Sequence, residues 1–523
     1  LTTHQEDYRS LFRRLWIDMD GEEILTNRGD ATPWEYARHY QYSRYIMICS
    51  EREGTGNIPH GLRGIWNPSW NPPNENAYFL NESVQKFHNI VGPGNLTDTA
   101  SPYYEWMGYL ANPKTGGKTA KESFGVENAW CVGHSADVWC KTDLYGENTD
   151  WGNWNGGGIW LMNDLYTAYD FTQDLSFLET YYPVLEGAAR FALENMIQVD
   201  GTQGELKDYW VVAPAQSPEH WYKTNGAKIS GVDIATACDT QLYLNLFHIM
   251  ELAAKELEDA GLGSLTDQEL LEKVKTRKEQ MMPLEMFLDE NGRMKEWYNE
   301  YETGETWHRH ASHLLGLILG YTGISEVTTP EIFEAEKKEL QRLTQDGGGM
   351  HPDPAMMFVA AGMPSTGMTK FTRGLIGTET DESQMGGEWG NIASAPIGAA
   401  IGEALLDSRN GVLDILDNLP EEWKSGKISG ICARGGYQLS IEWKDGSLVK
   451  CVIDSPTGET PLVRYQGKGI CLATDERFVV NRAKVSLEEL VREAKEKLGQ
   501  TYYTEASRQT LQERLETENY DQI

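Results

Sequence analysis

The segment Pro214-Ala215-Gln216-Ser217-Pro218-Glu219-His220-Trp221 sets a carboxylate between a proline and an indole. A glutamate held in such a loop loses part of its hydration, and desolvation favours the neutral form, so Glu219 is a candidate general acid able to stay protonated near neutrality. The plainer reading is an exposed loop carboxylate, one of 79 acidic residues. A second segment, Trp307-His308-Arg309-His310-Ala311-Ser312-His313-Leu314, gathers three of the chain's 11 histidines. His308, His310 and His313 suit hydrogen bonding to ligand hydroxyls and to a nearby carboxylate, or structural service at a helix start. Zinc would need a third ligand for which no pattern is present, so neither a metal nor any other cofactor is expected. In Gln384-Met385-Gly386-Gly387-Glu388-Trp389-Gly390-Asn391, small residues let the backbone approach whatever Glu388 and Trp389 contact. Glu388 is a candidate base, and a tight loop capping the next helix is the alternative.

The ligand these groups would act on is suggested by Gly64-Ile65-Trp66-Asn67-Pro68-Ser69-Trp70-Asn71-Pro72-Pro73, a non-periodic run of indoles, amides and prolines. Prolines stiffen a loop, asparagine offers donor and acceptor together, and an indole presents a flat apolar face, which together suit a polyhydroxylated ring. Trp66 and Asn67 are therefore expected to bind sugar, though an aromatic-rich structural loop has the same composition. His134, in the run Ala129 to Trp139, and Trp154, in the run Trp151 to Trp160, are expected with His310 and His313 to line the pocket of Glu219.

Helices must carry most of these loops. Trp34–Cys49, Ile159–Phe171, Leu178–Ile197, Ile234–Leu257, Gln268–Met282 and Pro330–Leu343 all show apolar residues at i, i+3, i+4 spacing. Many helices of similar length separated by long polar loops suggest paired helices closing into an α/α toroid over residues 1–406, or a more open helical array. After Asn410 the texture changes to short alternating runs, Val412–Leu416, Lys427–Ala433, Tyr437–Trp443, Leu448–Ile453 and Pro461–Tyr465, split by Gly435-Gly436 and Asp445-Gly446. These predict a small antiparallel β domain over 407–484. Residues 485–523 return to a helical pattern.

Composition narrows the partners. A formal charge of −33 repels phosphate backbones and anionic lipid, which argues against nucleic acid and membrane surfaces. No run of apolar residues is long enough to span a bilayer, and no charged-then-apolar leader is present. The chain opens on Leu1, which reads as a piece of a longer or processed protein. The 7 cysteines are scattered and never form a CxxC pair, so neither a zinc ribbon nor a disulfide framework is expected.

Taken in order, these segments resemble glycoside hydrolase family 95, the inverting α-L-fucosidases acting on 1,2-linked fucose, with α-L-galactosidase activity in some members. The likeness covers roughly residues 5 to 465. It is carried by Gly64-Ile65-Trp66-Asn67 through Asn71-Pro72-Pro73, Ser217-Pro218-Glu219, His308-Arg309-His310-Ala311-Ser312-His313-Leu314, and Leu419-Pro420-Glu421-Glu422-Trp423 with Ala433-Arg434-Gly435-Gly436. The resemblance implies an (α/α)6 barrel followed by a β-sandwich domain, without the family's usual N-terminal β domain, and puts the catalytic acid on Glu219. The family activates water with an Asp and two Asn. Here Leu80-Asn81-Glu82-Ser83 keeps Asn81 alone, and Gly386 stands at the Asp position, with Glu388 two residues on as the available carboxylate. A hydrolase-like module that binds sugar without turnover is the competing expectation. The stretch from Ser486 resembles the helical FIVAR-type repeats of large Gram-positive surface enzymes, which implies an extracellular, multimodular origin.

Overall fold

The computed structural model describes residues 1–21, 31–54, 58–66, 70–144, 148–200, 206–304, 308, 310–345, 355–368 and 394–482. Asn67, Gly386, Glu388, Trp389 and the C-terminal helical stretch lie outside the described residues.

The helices are α1 Thr2–Phe12, α2 Pro33–Ser50, α3 Ser83–His88, α4 Ser101–Leu110, α5 Gly116–Phe124, α6 Gly157–Thr172, α7 Leu175–Glu194, α8 Ala237–Asp259, α9 Gln268–Glu279, α10 Pro330–Gln345, α11 Ala355–Ala360, α12 Pro364–Gly367 and α13 Ser394–Leu405. Side chains start several of them. Thr32 and Glu35 form a capping box around Pro33 at the head of α2, and Asp174, Thr236 and Asp267 cap α7, α8 and α9. All six helices expected from periodicity are present, with three ends displaced for one reason. Backbone at those ends has a strand partner instead: Met196–Gln198 pairs with Trp210–Val212, Val232–Asp233 with Ala215–Gln216, and Met282 donates to the Trp210 carbonyl.

Packing runs in a closed circuit. α13 packs on α3, α3 on α6, α6 on α8, α8 on the 3-10 turn Ser312–Leu317, that turn on α11, and α11 back on α13. α2 lies against α13, α7 against α6 and α8, α9 against α8, and α10 against the 3-10 turn.

The C-terminal strands fall where alternation puts them, and the two-residue turn Asp445-Gly446, with φ of 51° and 72°, closes the hairpin Tyr437–Lys444/Ser447–Ser455. The sheets are mixed, however, and not antiparallel throughout. Ser447–Ser455 runs parallel to Phe478–Arg482, and Val412–Ile415 parallel to Leu462–Tyr465, because long crossovers join those strands where a tight turn would reverse the chain. The larger sheet also takes in Trp16–Met19, paired with Gly426–Ala433, so the division at residue 406 is crossed by the start of the chain.

Two motifs belong to this seam. Trp423, 1% exposed, accepts from the Trp443 indole at its carbonyl and packs its own ring on Tyr36 of α2. Gly435 donates its backbone N–H to the Asp170 carbonyl at 2.8 Å and carboxylate at 3.0 Å, and Arg434 lies over the Phe171 and Tyr321 rings. Arg44, fully buried on α2, donates to the carbonyls of Gly94 at 2.8 Å, Phe12 at 2.9 Å and Leu11 at 3.1 Å. It thereby binds the end of α1 and the turn before α4 to α2. Arg44→Met would remove the donor from the buried Gly94 carbonyl and the half-buried Phe12 carbonyl, while Leu11 keeps its bond from Arg14 N, and since each unpaired group costs roughly 1–3 kcal/mol, a loss of ~2 kcal/mol or more is expected, read as a lowered urea midpoint.

Candidate active site

Glu219 sits in the loop between strand Ala215–Gln216 and strand Tyr222–Thr224, its side chain 24% exposed. Its Oε1 accepts from Asn81 Nδ2 at 3.1 Å and faces His134 Nε2 at 3.4 Å, while Oε2 faces His308 Nε2 at 4.0 Å. Three segments distant in sequence thus meet on one carboxyl, which is partly withdrawn from water, as the sequence suggested.

Local structure explains the meeting. Tyr78–Phe79 pairs with Ser135–Ala136, and Leu80 N donates to the His134 carbonyl at 2.7 Å, so Asn81 and His134 emerge side by side. The strand bearing His134 can pass only because α6 begins with glycines. A Cβ on Gly157 would stand 2.1 Å from the Gly133 carbonyl oxygen, and one on Gly158 2.9 Å from the Trp130 ring.

The loop around Glu219 is held from behind. Gln216 N donates to Asp239 Oδ2 at 2.9 Å, in the first turn of α8. Burial pushes Asp239 up to about 6, against the bonds from Gln216, Trp154 and Thr236. Ser217 Oγ donates to Glu296 Oε2, and Glu296 Oε1 faces His220 Nε2 at 3.2 Å and His313 Nδ1. The Pro218 carbonyl accepts from Ser312 Oγ and faces His310 Nδ1 at 3.3 Å. His310 Nε2 in turn lies 2.6 Å from Glu82 Oε2, and Glu82 also meets Lys86.

The histidines of one short segment therefore divide their work. His308 faces Glu219, His310 holds the loop backbone and the residue after Asn81, and His313 is packed behind, with Glu339 3.5 Å from its other nitrogen. His313 does not touch Glu219. Trp154 is likewise a correction: it is 1% exposed, donates to Asp239 Oδ1 at 2.8 Å, and is a core residue supporting the loop. The indole at the site is Trp151, 4.5 Å from the His134 ring. The Trp154 ring is admitted by Gly156, where a Cβ would stand only 2.6 Å away, a relation that appears in the packing and not in the spacing. Trp66 packs at 5.7 Å on Tyr45 of α2 and makes no described contact with Glu219, while Trp70 is fully solvent-exposed. Glu82 and Glu296 carried no signal among so many acids.

Electrostatics bound the network by pH. Burial pulls His313 down, but Glu296 and Glu339 outweigh it and carry the ring up to about 10 from 6.5; burial raises Glu296, but His220 and His313 outweigh it and bring it to about 2 from 4.5. His220, with burial dominant, falls to about 4 and stays neutral. The raised His313 contributes fully below its unfolded value and loses that contribution as pH rises through about 10, whereas the depressed Glu296 contributes fully above its unfolded value and loses it as pH falls through about 2. The difference in Tm between wild type and His313→Gln should be widest between pH 4.5 and 6.5 and shrink on the alkaline side. A difference that grows with rising pH would contradict the assignment.

Comparison with known proteins identifies the family. The model of the glycosyl hydrolase family 95 catalytic domain matches residues 1–388, and that of the family's C-terminal domain matches residues 407–504. Alpha-L-fucosidase 2 of Arabidopsis thaliana is 29% identical over 493 residues, 89% of this chain and 56% of its own length. A probable alpha-fucosidase A of Aspergillus niger is 22% identical over 486 residues, 86% of this chain and 58% of its own. The chain thus spans little more than half the length of these relatives. A solved putative kojibiose phosphorylase from human microbiome shares the fold, with a TM-score of 0.58 at 11% identity over 90% of this chain and 67% of that one. With both of the family's domains matched in order and the Ser-Pro-Glu loop at the centre of its polar cluster, this chain belongs to glycoside hydrolase family 95.

Proposed function

We propose that this chain is an inverting, exo-acting glycoside hydrolase that releases a terminal α-linked L-fucose-like or L-galactose-like residue from a glycan. The observation that carries the reading is the half-buried Glu219 carboxyl, with Asn81 and His134 on Oε1 and His308 toward Oε2. The fucosidase names of the relatives support the sugar class. The closed circuit of six packed segments supports reading the helical part as an (α/α)6 barrel, with the mixed sheets as its β-sandwich companion.

Inversion needs an acid for the leaving oxygen and a second carboxylate for a water on the other face of the ring. Glu219 is the acid. Its Oε1 accepts from Asn81, which leaves Oε2 to carry the transferable proton toward the glycosidic oxygen. An amide has two donors and one acceptor, so Asn81 keeps one N–H and its carbonyl oxygen for the water. We assign the base to Glu388, in place of the Asp that this chain replaces by Gly386. Glycan is the partner, and the resemblance of the chain's last residues to FIVAR-type repeats supports a setting in a larger extracellular protein, although the family's C-terminal domain model extends to residue 504.

Glu219→Gln should lower monosaccharide release from fucosylated glycans by ~10²–10⁴-fold while glycan affinity changes little. Glu388→Gln should abolish turnover if Glu388 is the base. Gly386→Asp with Ser83→Asn rebuilds the family's water site, and a gain there from an inactive wild type would show the base to have been lost. Release unaffected by Glu219→Gln would refute the assignment. A chain that binds glycans yet never hydrolyses them, before or after that double change, is a binding module.

A further inference from the structure

Outside the site just described, three buried groups converge where no catalytic role reaches. Glu51 follows the last residue of α2, His60 lies in the loop beyond it, and His88 ends α3. Their side chains are 1%, 0% and 3% exposed. Each histidine turns Nδ1 to a backbone carbonyl, His88 to Val84 O at 2.7 Å and His60 to Gly61 O at 3.3 Å. A ring that donates from Nδ1 to a carbonyl presents Nε2 as its coordinating atom, the outer-shell arrangement that orients metal-bound histidines.

Both Nε2 atoms face one oxygen, Glu51 Oε1, His88 at 3.0 Å and His60 at 3.6 Å. Ligand atoms around a tetrahedral zinc, with bonds of about 2.0–2.2 Å, stand ~3.3–3.5 Å apart, and the two separations bracket that spacing. Among the described residues, His60 Nε2 and Glu51 Oε2 have no hydrogen-bond partner although both are buried. Buried polar atoms left so need an explanation, and a bound ion supplies one where, as here, they face a second imidazole and a carboxylate. The rings of His60 and His88 stack with planes 3° apart and centroids 4.8 Å apart, so closing the site asks His60, held by the longer Nδ1 contact, to turn toward Glu51.

We infer that Glu51, His60 and His88 form a structural site for a divalent cation of the zinc class, with Glu51 Oε2 available as a fourth ligand. Two imidazoles and a carboxylate favour zinc over magnesium or calcium. The ion would staple the end of α2 and the 58–64 segment to α3, the helix that starts two residues after Asn81. This departs from the expectation, drawn from the 308–313 histidines, that the chain needs no metal. Those histidines remain unsuited to the role, since His313 is held between a carboxylate at each ring nitrogen, an imidazolium's arrangement.

The test uses the full chain, stripped with chelator and titrated with Zn²⁺ and separately with Co²⁺. Expected are about one equivalent of zinc taken up, a rise in Tm on binding, and visible Co²⁺ absorption of a four-coordinate N/O site. His60→Gln and Glu51→Gln should each weaken Zn²⁺ binding by at least ~100-fold, while metal-free His60→Gln melts close to the metal-free wild type. Absence of uptake by the wild type overturns the proposal without recourse to any variant. Uptake that survives both substitutions, or that is lost instead in His313→Gln, overturns it as well.

Discussion

The buried carboxylate of Glu296 is the group on which the placement of Glu219 depends. Burying a charge costs several kcal/mol unless its lone pairs are met, and here Ser217 meets one oxygen while His220 and His313 meet the other. Ser217 and His220 flank Pro218 and Glu219, so both ends of the Glu219 segment are tied to one group from a different part of the chain. His313 brings its neighbours along: Ser312 and His310 are thereby set on the Pro218 carbonyl, the peptide immediately before Glu219. A loop rich in proline and polar groups is held through this hub, the kind of support that fixes a functional side chain in place.

A second support comes from the head of α8. Thr236 caps that helix at Asp239 N, and the Asp239 carboxylate receives the Gln216 backbone and the Trp154 indole. Much of what looks chemical in this protein is therefore scaffolding. Of the polar groups gathered here, Glu219, Asn81, His134 and His308 meet directly, while Glu82, His310, Ser312, Glu296, His313 and Asp239 hold the elements that carry them.

How far the sequence could be read is shown by particular residues. The α8 pattern, the Asp445-Gly446 turn and the strands from Val412 to Tyr465 were legible, because periodicity and positive-φ turns are local properties. That Glu219 and Asn81 would stand together was legible through short motifs with restricted chemistry. Trp154 and Trp151 were confused, because both are indoles in one polar run and only burial, with Gly156 packed on the Trp154 ring, assigns Trp154 to the core. The mixed sheets and the pairing of Trp16–Met19 with Gly426–Ala433 were not legible, since strand partners far apart in the chain leave no mark on either segment.

The sequence by itself marked six of the helices, the strands from Val412 to Tyr465, the overall charge and the residue types from which a polar site could be built; the short helices such as Ser83–His88 and the strands Trp16–Met19 and Tyr78–Phe79 left no such mark. Only tertiary structure decided which of those residues work. Glu82 and Glu296 are chemically the same as dozens of other carboxylates along the chain, and His308, His310 and His313 the same as one another. Each role follows from the distance and burial that folding imposes, because a titratable group takes its function from the charges and solvent around it, and these come from residues remote in sequence.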